Sequence, residues 1–347
     1  MEQELARVLS AYGLGPPVAV QRIERGHVDD NWLVDTEQGR FFVKRRHPKR
    51  RQAAEVIQAQ HDLIAHLRRS GFPAPRLIPT GTGQSFLLLD REVYEVGAYI
   101  EGEPFDQERP EHLGAAAQTL GWYHRTVEGF APASLMQQVP LYSREGARAA
   151  LGRLCDAWQT GADPSLAPRV RELEKLADDL AERFGAHGSL PHLIIHGDYY
   201  AGNLLFAGDR IVGVVDYDKA SWQPRVAELA EALIYFASPR PGYLRHVVYP
   251  GVLEWEPFTR FLQVYGQDTA LGDAEVEALP DFVGCIWFAV SLGRLLEHHP
   301  DRPPEAGEAL HEVSILGSWA RVHASKMVGM ARAAECGRRT CDQGCNL

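Results

Sequence analysis

The stretch 196–218 reads HGDYYAGNLLFAGDRIVGVVDYD, and the interpretation of the whole chain starts from it. The apolar run LII just before it predicts a strand that delivers Asp198 at its end, and Asn203 follows five residues later. Two further apolar runs predict a hairpin around the turn AGD, and the second run delivers Asp216 at its own end. Because strand ends bring side chains together, we expect these three residues to converge. Their oxygens suit Mg²⁺, and a carboxylate can accept the proton of a substrate hydroxyl.

Upstream of this stretch, the first hundred residues are rich in predicted strands. Segment 17–44 predicts strand, strand, turn and strand, with Lys44 at the end of the third strand. Residues 52–69 carry apolar side chains at a helical period, and two prolines that follow forbid its continuation. SFLLLD and EVYEVGAYI predict a second hairpin. In the basic run that starts at Lys44, we interpret residues 45–51 as a solvated edge.

Downstream of residue 105, long segments of good helix formers predict helices, interrupted by one β unit over 193–217. Proline-rich breaks near 239–250 and 300–304 divide the later helices. The sequence therefore predicts an α+β protein with a small β-rich N-terminal part and a larger, mainly helical C-terminal part. It contains no internal repeat.

Composition and charge disfavour several classes of protein. The 347 residues are 45% apolar and 24% charged, which is ordinary for a globular chain. The balance of 36 Lys and Arg against 46 Asp and Glu gives a net charge of −10, which disfavours nucleic acids and anionic membranes as partners. The N-terminus lacks the basic region and apolar core of a signal peptide, and five cysteines do not form a disulfide scaffold. We therefore expect a cytoplasmic protein, of an oligomeric state that the sequence leaves open.

The opening stretch resembles the catalytic and metal-binding segment of the aminoglycoside phosphotransferase, choline kinase and homoserine kinase superfamily, small-molecule relatives of the protein kinases. The shared pattern is His-x-Asp, four residues, Asn, and a second Asp about one hairpin later. The resemblance implies that Asp198 is the catalytic base and that Asn203 and Asp216 bind Mg²⁺, with Asp216 bridging the metal to the phosphates of ATP. It also implies that His196 holds the loop through hydrogen bonds, and that Asp218 supports the metal ligands or joins them.

The same resemblance assigns a nucleotide site to the N-terminal part. Lys44 stands where the superfamily carries the lysine that pairs with the phosphates, on the third strand. The preceding turn, with the single glycine Gly26, would cover those phosphates. VYEVGAYIEGEPF resembles the hinge between two lobes, where the backbone groups of Ala98 and Ile100 would meet adenine.

The resemblance also implies a bilobal, protein-kinase-like fold. Residues 1–97 would form the nucleotide-binding lobe and residues 98–347 the catalytic and acceptor-binding lobe. In the second lobe, His124 matches a histidine that we interpret as structural. Glu228 stands where relatives often carry an Asp at the start of a helix.

One position departs from the superfamily pattern. Relatives place a Glu on the helix after the third strand to pair with the lysine, and the corresponding position here falls near Gln60. The nearest acids are Glu55 and Asp62. A glutamine can accept a hydrogen bond from an ammonium group but cannot neutralise it, so the partner of Lys44 stays open.

These features predict an ATP- and Mg²⁺-dependent kinase that phosphorylates a hydroxyl of a small metabolite. The acceptor would be an amino acid, an amino alcohol or an aminoglycoside-like molecule, with a slight preference for the homoserine type. One alternative is a Ser/Thr protein kinase, which is disfavoured because no activation loop is evident between Asp216 and Val226. The other is a non-catalytic nucleotide-binding relative, which only the missing helix glutamate supports.

Overall fold

A computed structural model describes residues 2–23, 29–47, 52–138, 142–143, 145–187, 189–238 and 253–344. An antiparallel sheet comes first, with a helix on one face. A larger assembly of helices follows, packed around two short strand pairs. Strands followed by helices are typical of the α+β class, so the predicted fold class is confirmed.

The N-terminal sheet contains five antiparallel strands. They are Ala19–Ile23 (β1), Asp30–Thr36 (β2), Gly39–Arg45 (β3), Leu87–Leu89 (β4) and Glu92–Ala98 (β5), in the spatial order β1-β2-β3-β5-β4. The strands predicted over 17–44 and the second hairpin are confirmed. Because alternate residues of a strand share a face, Phe41 and Val43 enter the core on one side of β3 while Lys44 lies on the other. The register places Lys44 opposite Glu95 of β5.

Helix α1 (Glu2–Ala11) covers the face of the sheet that Phe41 and Val43 enter. Its buried residues Leu5, Val8 and Leu9 share one apolar cluster with the sheet. This helix is an addition to the predicted elements, although its apolar positions follow the period of an amphipathic helix.

Helix α2 (Ala54–Arg69) is the helix predicted over 52–69. Its buried residues, among them Leu63 and Leu67, join the core of the larger helical part. The helix therefore connects the sheet region with the part of the chain that carries residues 196–218.

Helices make up most of the chain beyond residue 105. They are Pro110–Thr126 (α3), Ala133–Met136 (α4), Gly146–Trp158 (α5), Ala167–Ala186 (α6), Arg225–Phe236 (α7), Trp255–Asp268 (α8), Asp273–His298 (α9), Ala306–Val322 (α10) and Ala324–Gly344 (α11). The predicted break near 300–304 separates α9 from α10, and the one near 239–250 lies outside the described residues. By length and composition α9 alone among the described helices could span a membrane; 67% of its most apolar window is buried inside the protein.

The predicted β unit is confirmed as two strand pairs. Strand β6 (His192–Ile195) pairs with β9 (Ser221–Pro224), and β7 (Leu204–Ala207) pairs with β8 (Arg210–Val214). The Val215 N–H donates a hydrogen bond to the Asn203 carbonyl at 3.0 Å, so the end of β8 lies beside the start of β7. The unit thereby brings together the segments that carry the predicted catalytic residues.

Candidate active site

The carboxylate of Asp198 follows β6 and is held by two neighbours. Lys219 Nζ donates a hydrogen bond to Asp198 Oδ1 at 2.7 Å. Asn203 Nδ2 donates to the Asp198 carbonyl oxygen at 2.9 Å and lies 3.3 Å from Asp198 Oδ2. A carboxylate fixed between a cation and an amide can orient a hydroxyl group and accept its proton.

The loop around Asp198 requires glycine at position 197. Gly197 has a φ of +78°, and a Cβ there would lie 2.5 Å from the Lys219 carbonyl oxygen. Its N–H donates to Glu228 Oε1 at 2.8 Å, and Glu228 Oε2 lies 2.8 Å from His124 Nε2. The other ring nitrogen of His124 lies 2.8 Å from the Tyr265 hydroxyl. This buried chain of hydrogen bonds anchors the loop to α7. Burial lowers the pKa of His124 within it.

His196 holds the same loop against the end of β8. Its fully buried ring lies 3.1 Å from the Val215 carbonyl oxygen through Nε2, and Nδ1 accepts a bond from the Asp198 N–H at 3.3 Å. Burial lowers the pKa of His196, which favours the neutral ring that this donor and acceptor pattern needs. The geometry gives His196 a positioning role.

Asp216 follows β8 in an unusual backbone conformation. Its φ of +68° lies in the left-handed region, which few residues other than glycine adopt and which is often found at functional sites. Lys44 Nζ reaches Asp216 Oδ1 at 3.2 Å, Asp218 Oδ2 at 2.6 Å and Asp29 Oδ2 at 3.3 Å. Lys44 therefore joins the sheet to the segment that carries Asp216.

The partners of Lys44 come from strand ends and not from α2. Glu55 and Asp62 are exposed on that helix, whereas Gln60 is buried. Gln60 Nε2 donates to the Asp218 carbonyl at 2.8 Å, and Gln60 Oε1 accepts from Arg46 Nη2 at 3.0 Å. The helix position thus supports Asp218 by hydrogen bonds, and no charge from the helix is required.

Arg46 is buried, so the interpretation of residues 45–51 as a solvated edge is wrong at this position. Its guanidinium pairs with Glu95 and reaches Asp218 Oδ1 at 3.0 Å. The reason is the period of two in a strand, which sends Arg46 to the same side as Lys44. Residues 48–51 of the run lie outside the described residues.

Opposite charges set the pKa values of this group. Although burial favours the neutral amine, Asp218 and Asp216 raise the pKa of Lys44 above its usual range. Burial acts against ionisation of Asp216 and Glu95 as well, but Lys44 lowers the pKa of Asp216, and Arg46 lowers that of Glu95. For Asp218 burial outweighs its two cationic neighbours and raises the pKa.

Asn203 and Asp216 offer oxygen atoms that would fit a magnesium ion. The Asn203 amide nitrogen is used toward Asp198, which leaves its oxygen for a metal, and the Asp216 side chain is 37% exposed. Carboxylates also outnumber cations around Lys44, and a divalent cation would offset that excess. Among the described residues no group of three His, Cys, Asp or Glu side chains forms a metal site by itself. Mg²⁺ commonly takes one or two protein oxygens and completes its shell with water and phosphate.

The predicted hinge residues lie at the end of β5 and beside β8. The Ala98 N–H donates to the Arg76 carbonyl at 2.8 Å, so of the two backbone groups predicted to meet adenine there the N–H already has a partner. The Ile100 side chain packs against Gly213 of β8, where a Cβ would lie 3.1 Å from Ile100 Cγ2. Gly26 lies outside the described residues.

Several charged residues of the site, Asp29 and Glu95 among them, were not among the predicted ones, and two of these residues had a signal in the sequence. Lys219, which contacts Asp198, directly follows the strand-end acids, and this adjacency was its only signal. Arg46 could have been found from its spacing of two from Lys44 on an amphipathic strand.

Known proteins resemble this chain in sequence. The family model for the phosphotransferase enzyme family matches residues 19–262. The homoserine kinase of Methylobacillus glycogenes is 24% identical over 312 residues, which covers 89% of this chain and 88% of that protein. The homoserine kinase of Sinorhizobium medicae (strain WSM419) is 27% identical over 221 residues. That match spans 62% of this chain and 63% of the length of the relative.

Solved structures share the fold at low sequence identity. The microcompartment-associated aminopropanol kinase superposes with a TM-score of 0.72 at 16% identity, covering 94% of this chain and 98% of that one. An amicoumacin kinase in complex with AMP-PNP and Ca²⁺ superposes with a TM-score of 0.65 at 16% identity, covering 94% and 96%. These neighbours confirm the predicted bilobal kinase-like fold. With the family model matching well over half of its length, the chain belongs to the phosphotransferase enzyme family.

Proposed function

We propose that this protein transfers the γ-phosphoryl group of Mg²⁺-bound ATP to a hydroxyl of a small metabolite, with acceptors of the homoserine type preferred. Family membership supports phosphoryl transfer, and the curated relatives named homoserine kinase support the acceptor type. The observation that carries the proposal is the reach of Lys44 from β3 to Asp216, 3.2 Å away, beside the held carboxylate of Asp198. A cation for phosphates, oxygen ligands for a metal and a base for a hydroxyl thus occupy one site.

The roles follow from the chemistry of each side chain. Asp198 would orient the acceptor hydroxyl and take its proton, while Lys219 keeps that carboxylate in place. Asn203 and Asp216 would hold Mg²⁺, which when bound offsets charge on the β- and γ-phosphates. Lys44 would pair with the phosphates from the other side. Such a site works mainly by positioning and electrostatic stabilisation.

The short connection after Asp216 favours a small acceptor over a protein acceptor. Strand β9 begins at Ser221 and α7 begins at Arg225, so the chain re-enters regular structure within a few residues. The structure describes every residue of this stretch. The stretch is too short to contain the long loop that protein kinases use to bind a protein substrate. The same proposal includes a lobe boundary between residues 97 and 98 and a cytoplasmic location. It includes no nucleic-acid or membrane partner.

The test is an ADP-release screen over hydroxyl-bearing metabolites, run with the wild type and with Asp198→Asn. We expect turnover of at least one acceptor by the wild type, loss of turnover in the variant, and binding of the ATP analogue AMP-PNP by both. Full activity of Asp198→Asn would overturn the assignment of the base. AMP-PNP binding without turnover on any acceptor would favour the non-catalytic alternative.

A further inference from the structure

Glu231 is a buried acid of α7 with one carboxylate oxygen unbonded. The residue is 3% exposed, and Oε2 has no hydrogen-bond partner among the described residues. The other buried acid of this helix, Glu228, uses both oxygens, on Gly197 and His124. Burying a carboxylate without a partner is costly, so Glu231 stands out within a helix that is otherwise almost entirely apolar.

The position of Glu231 relates it to the catalytic loop. It lies three residues after Glu228 and therefore on the same side of α7. Glu228 supports Gly197, the neighbour of Asp198. Burial, followed by the charge of Asp198, raises the pKa of Glu231 to about 8. The charge of Lys219 lowers the pKa of Glu231, but the Lys219 ammonium group donates a hydrogen bond to Asp198.

Two tyrosines lie near this carboxylate, and a third lies beside one of them. The Tyr142 side chain is hydrogen-bonded to Glu231. Tyr235 lies one helical turn after Glu231, and its ring centroid is 5.5 Å from that of Tyr200, which follows Asp198 by two residues. Aromatic faces attract cations, and a carboxylate beside them adds a full opposite charge. The surroundings of Glu231 therefore suit a cationic ligand group.

We propose that Glu231 binds the ammonium group of the acceptor, so that the acceptor is an amine-bearing alcohol whose hydroxyl reaches Asp198. The inference rests on the proposed function and assigns the side chain that would recognise the amine of its acceptor. An ammonium group offers three donors, one of them for Oε2, and a positive charge that would stabilise the ionised form of Glu231. A neutral hydroxyl compound brings no charge to stabilise the ionised form of Glu231, and sites built around a buried polar group reject ligands that cannot pair with it.

The kinetic test uses matched acceptors that differ in the amine. Homoserine is compared with 4-hydroxybutanoate, and 1-amino-2-propanol with 2-butanol. In the wild type the better amine acceptor should exceed its amine-free partner by about 10- to 100-fold in kcat/KM, the range expected for a hydrogen bond to a charged group. Glu231→Gln should remove most of that advantage through KM and leave the KM for ATP unchanged. Glu231→Asp keeps the charge and should restore part of it.

The control variant is Glu277→Gln, which removes an exposed carboxylate paired with Arg332 on the surface. It should behave as the wild type does. A wild type that phosphorylates amine-free acceptors as well as their amine partners would overturn the inference and leave the proposed function standing. The same holds if Glu231→Gln keeps the full preference for the amine.

A binding test keeps the inference independent of turnover. Calorimetric titration of the amine acceptors into the AMP-PNP-loaded protein should show binding by the wild type and about tenfold or greater weakening in Glu231→Gln. Retained AMP-PNP binding shows that the variant is folded. If no amine acceptor binds the wild type, the inference fails. AMP-PNP binding and turnover of an amine-free acceptor would then still support a kinase.

Discussion

Two charged groups adjoin in the active site, and they differ in how completely their charges are paired. The nucleotide cluster (Lys44, Arg46, Glu95, Asp216 and Asp218) is linked by contacts of both cations to carboxylates. The acceptor cluster (Asp198, Lys219 and Glu231) has one ion pair, and one of its carboxylate oxygens has no hydrogen-bond partner in the part of the chain that the structure describes.

The difference has a physical meaning. The nucleotide cluster ties the sheet to the segment after β8, so its charges stabilise the fold, and in the proposed function they would also stabilise a bound phosphate. The acceptor cluster holds its base with a single lysine and leaves Glu231 incomplete, which destabilises the empty protein. We therefore expect substitutions in the first cluster to change both stability and nucleotide binding, and substitutions in the second to change turnover or acceptor binding.

The largest effect is expected for Asp198→Asn. The amide keeps the shape of the side chain but cannot accept the hydroxyl proton, so kcat should fall by about 10³-fold. The KM for ATP should stay within about twofold, because Asp198 is not part of the nucleotide cluster. Steady-state ADP release measures both parameters. Asp209→Asn, which changes an exposed carboxylate paired with Arg109, is the control; an equal loss of kcat there would contradict the assignment.

Lys44→Met should weaken the nucleotide cluster in two ways. Removing the ammonium leaves the carboxylates of Asp216 and Asp218 facing each other, which should lower the free energy of unfolding by about 3 kcal/mol. Without a cation for the phosphates, kcat/KM for ATP should also fall, by about 10²-fold. Denaturant titration and ADP release measure the two effects.

Arg45→Met is the control for this prediction, because Arg45 lies on the opposite side of β3 and pairs with Asp30 and Glu4. It should leave the KM for ATP within about twofold of the wild-type value. Wild-type nucleotide binding in Lys44→Met would show that the cluster is only a structural tie.

Lys219→Met tests the single ion pair of the acceptor cluster. Losing one charge-assisted hydrogen bond to Asp198 should lower kcat by about 10- to 30-fold, since the base is less well oriented. The KM for ATP should hardly change, in contrast to Lys44→Met. Lys326→Met, which removes an ammonium stacked over Trp255, serves as the control. A loss of ATP binding in Lys219→Met would assign this lysine to the nucleotide cluster instead.

The same comparison shows how far sequence patterns reach. Asp198, Asn203 and Asp216 were predicted because local strand patterns and spacing mark them. The strands of the sheet and most helices were predicted from their periods. Glu95 and Glu231 carry no such signal, since their roles depend on packing between distant segments. Glu95 meets Arg46 only through the register of β3 with β5, and an acid at position 231 of a helix reads as solvated until the helix is seen to be buried.

The smallest expected effect is a pH dependence of the free energy of unfolding that differs between the two clusters. Burial raises the pKa of Glu231 to about 8 from a reference value of 4.5, so the folded protein keeps a proton that the unfolded chain releases between these values. Stability should therefore decline as pH rises through this window. Glu95 behaves in the opposite way, because Arg46 lowers its pKa in the folded state. Its contribution to stability is complete above pH 4.5 and is lost as the pH falls below that value. Between about pH 6 and about pH 8 Glu231 contributes a loss of stability with rising pH, whereas the buried rings of His124 and His196, whose pKa values are lowered, contribute in the opposite direction. A comparison with Glu231→Gln separates the slope of Glu231 from theirs.

Denaturant titrations of the wild type and Glu231→Gln at about pH 6 and about pH 8 isolate that slope. The other groups that act on Glu231, namely Asp198, Lys219, Tyr142 and Glu228, are present in both proteins, so their contributions cancel in the difference. The wild type should lose about 1 to 2 kcal/mol more than the variant over this interval. An equal loss in both proteins would mean that Glu231 is already paired or hydrated in the empty site. A larger wild-type loss that disappears when an amine acceptor is added would show the carboxylate gaining its missing partner.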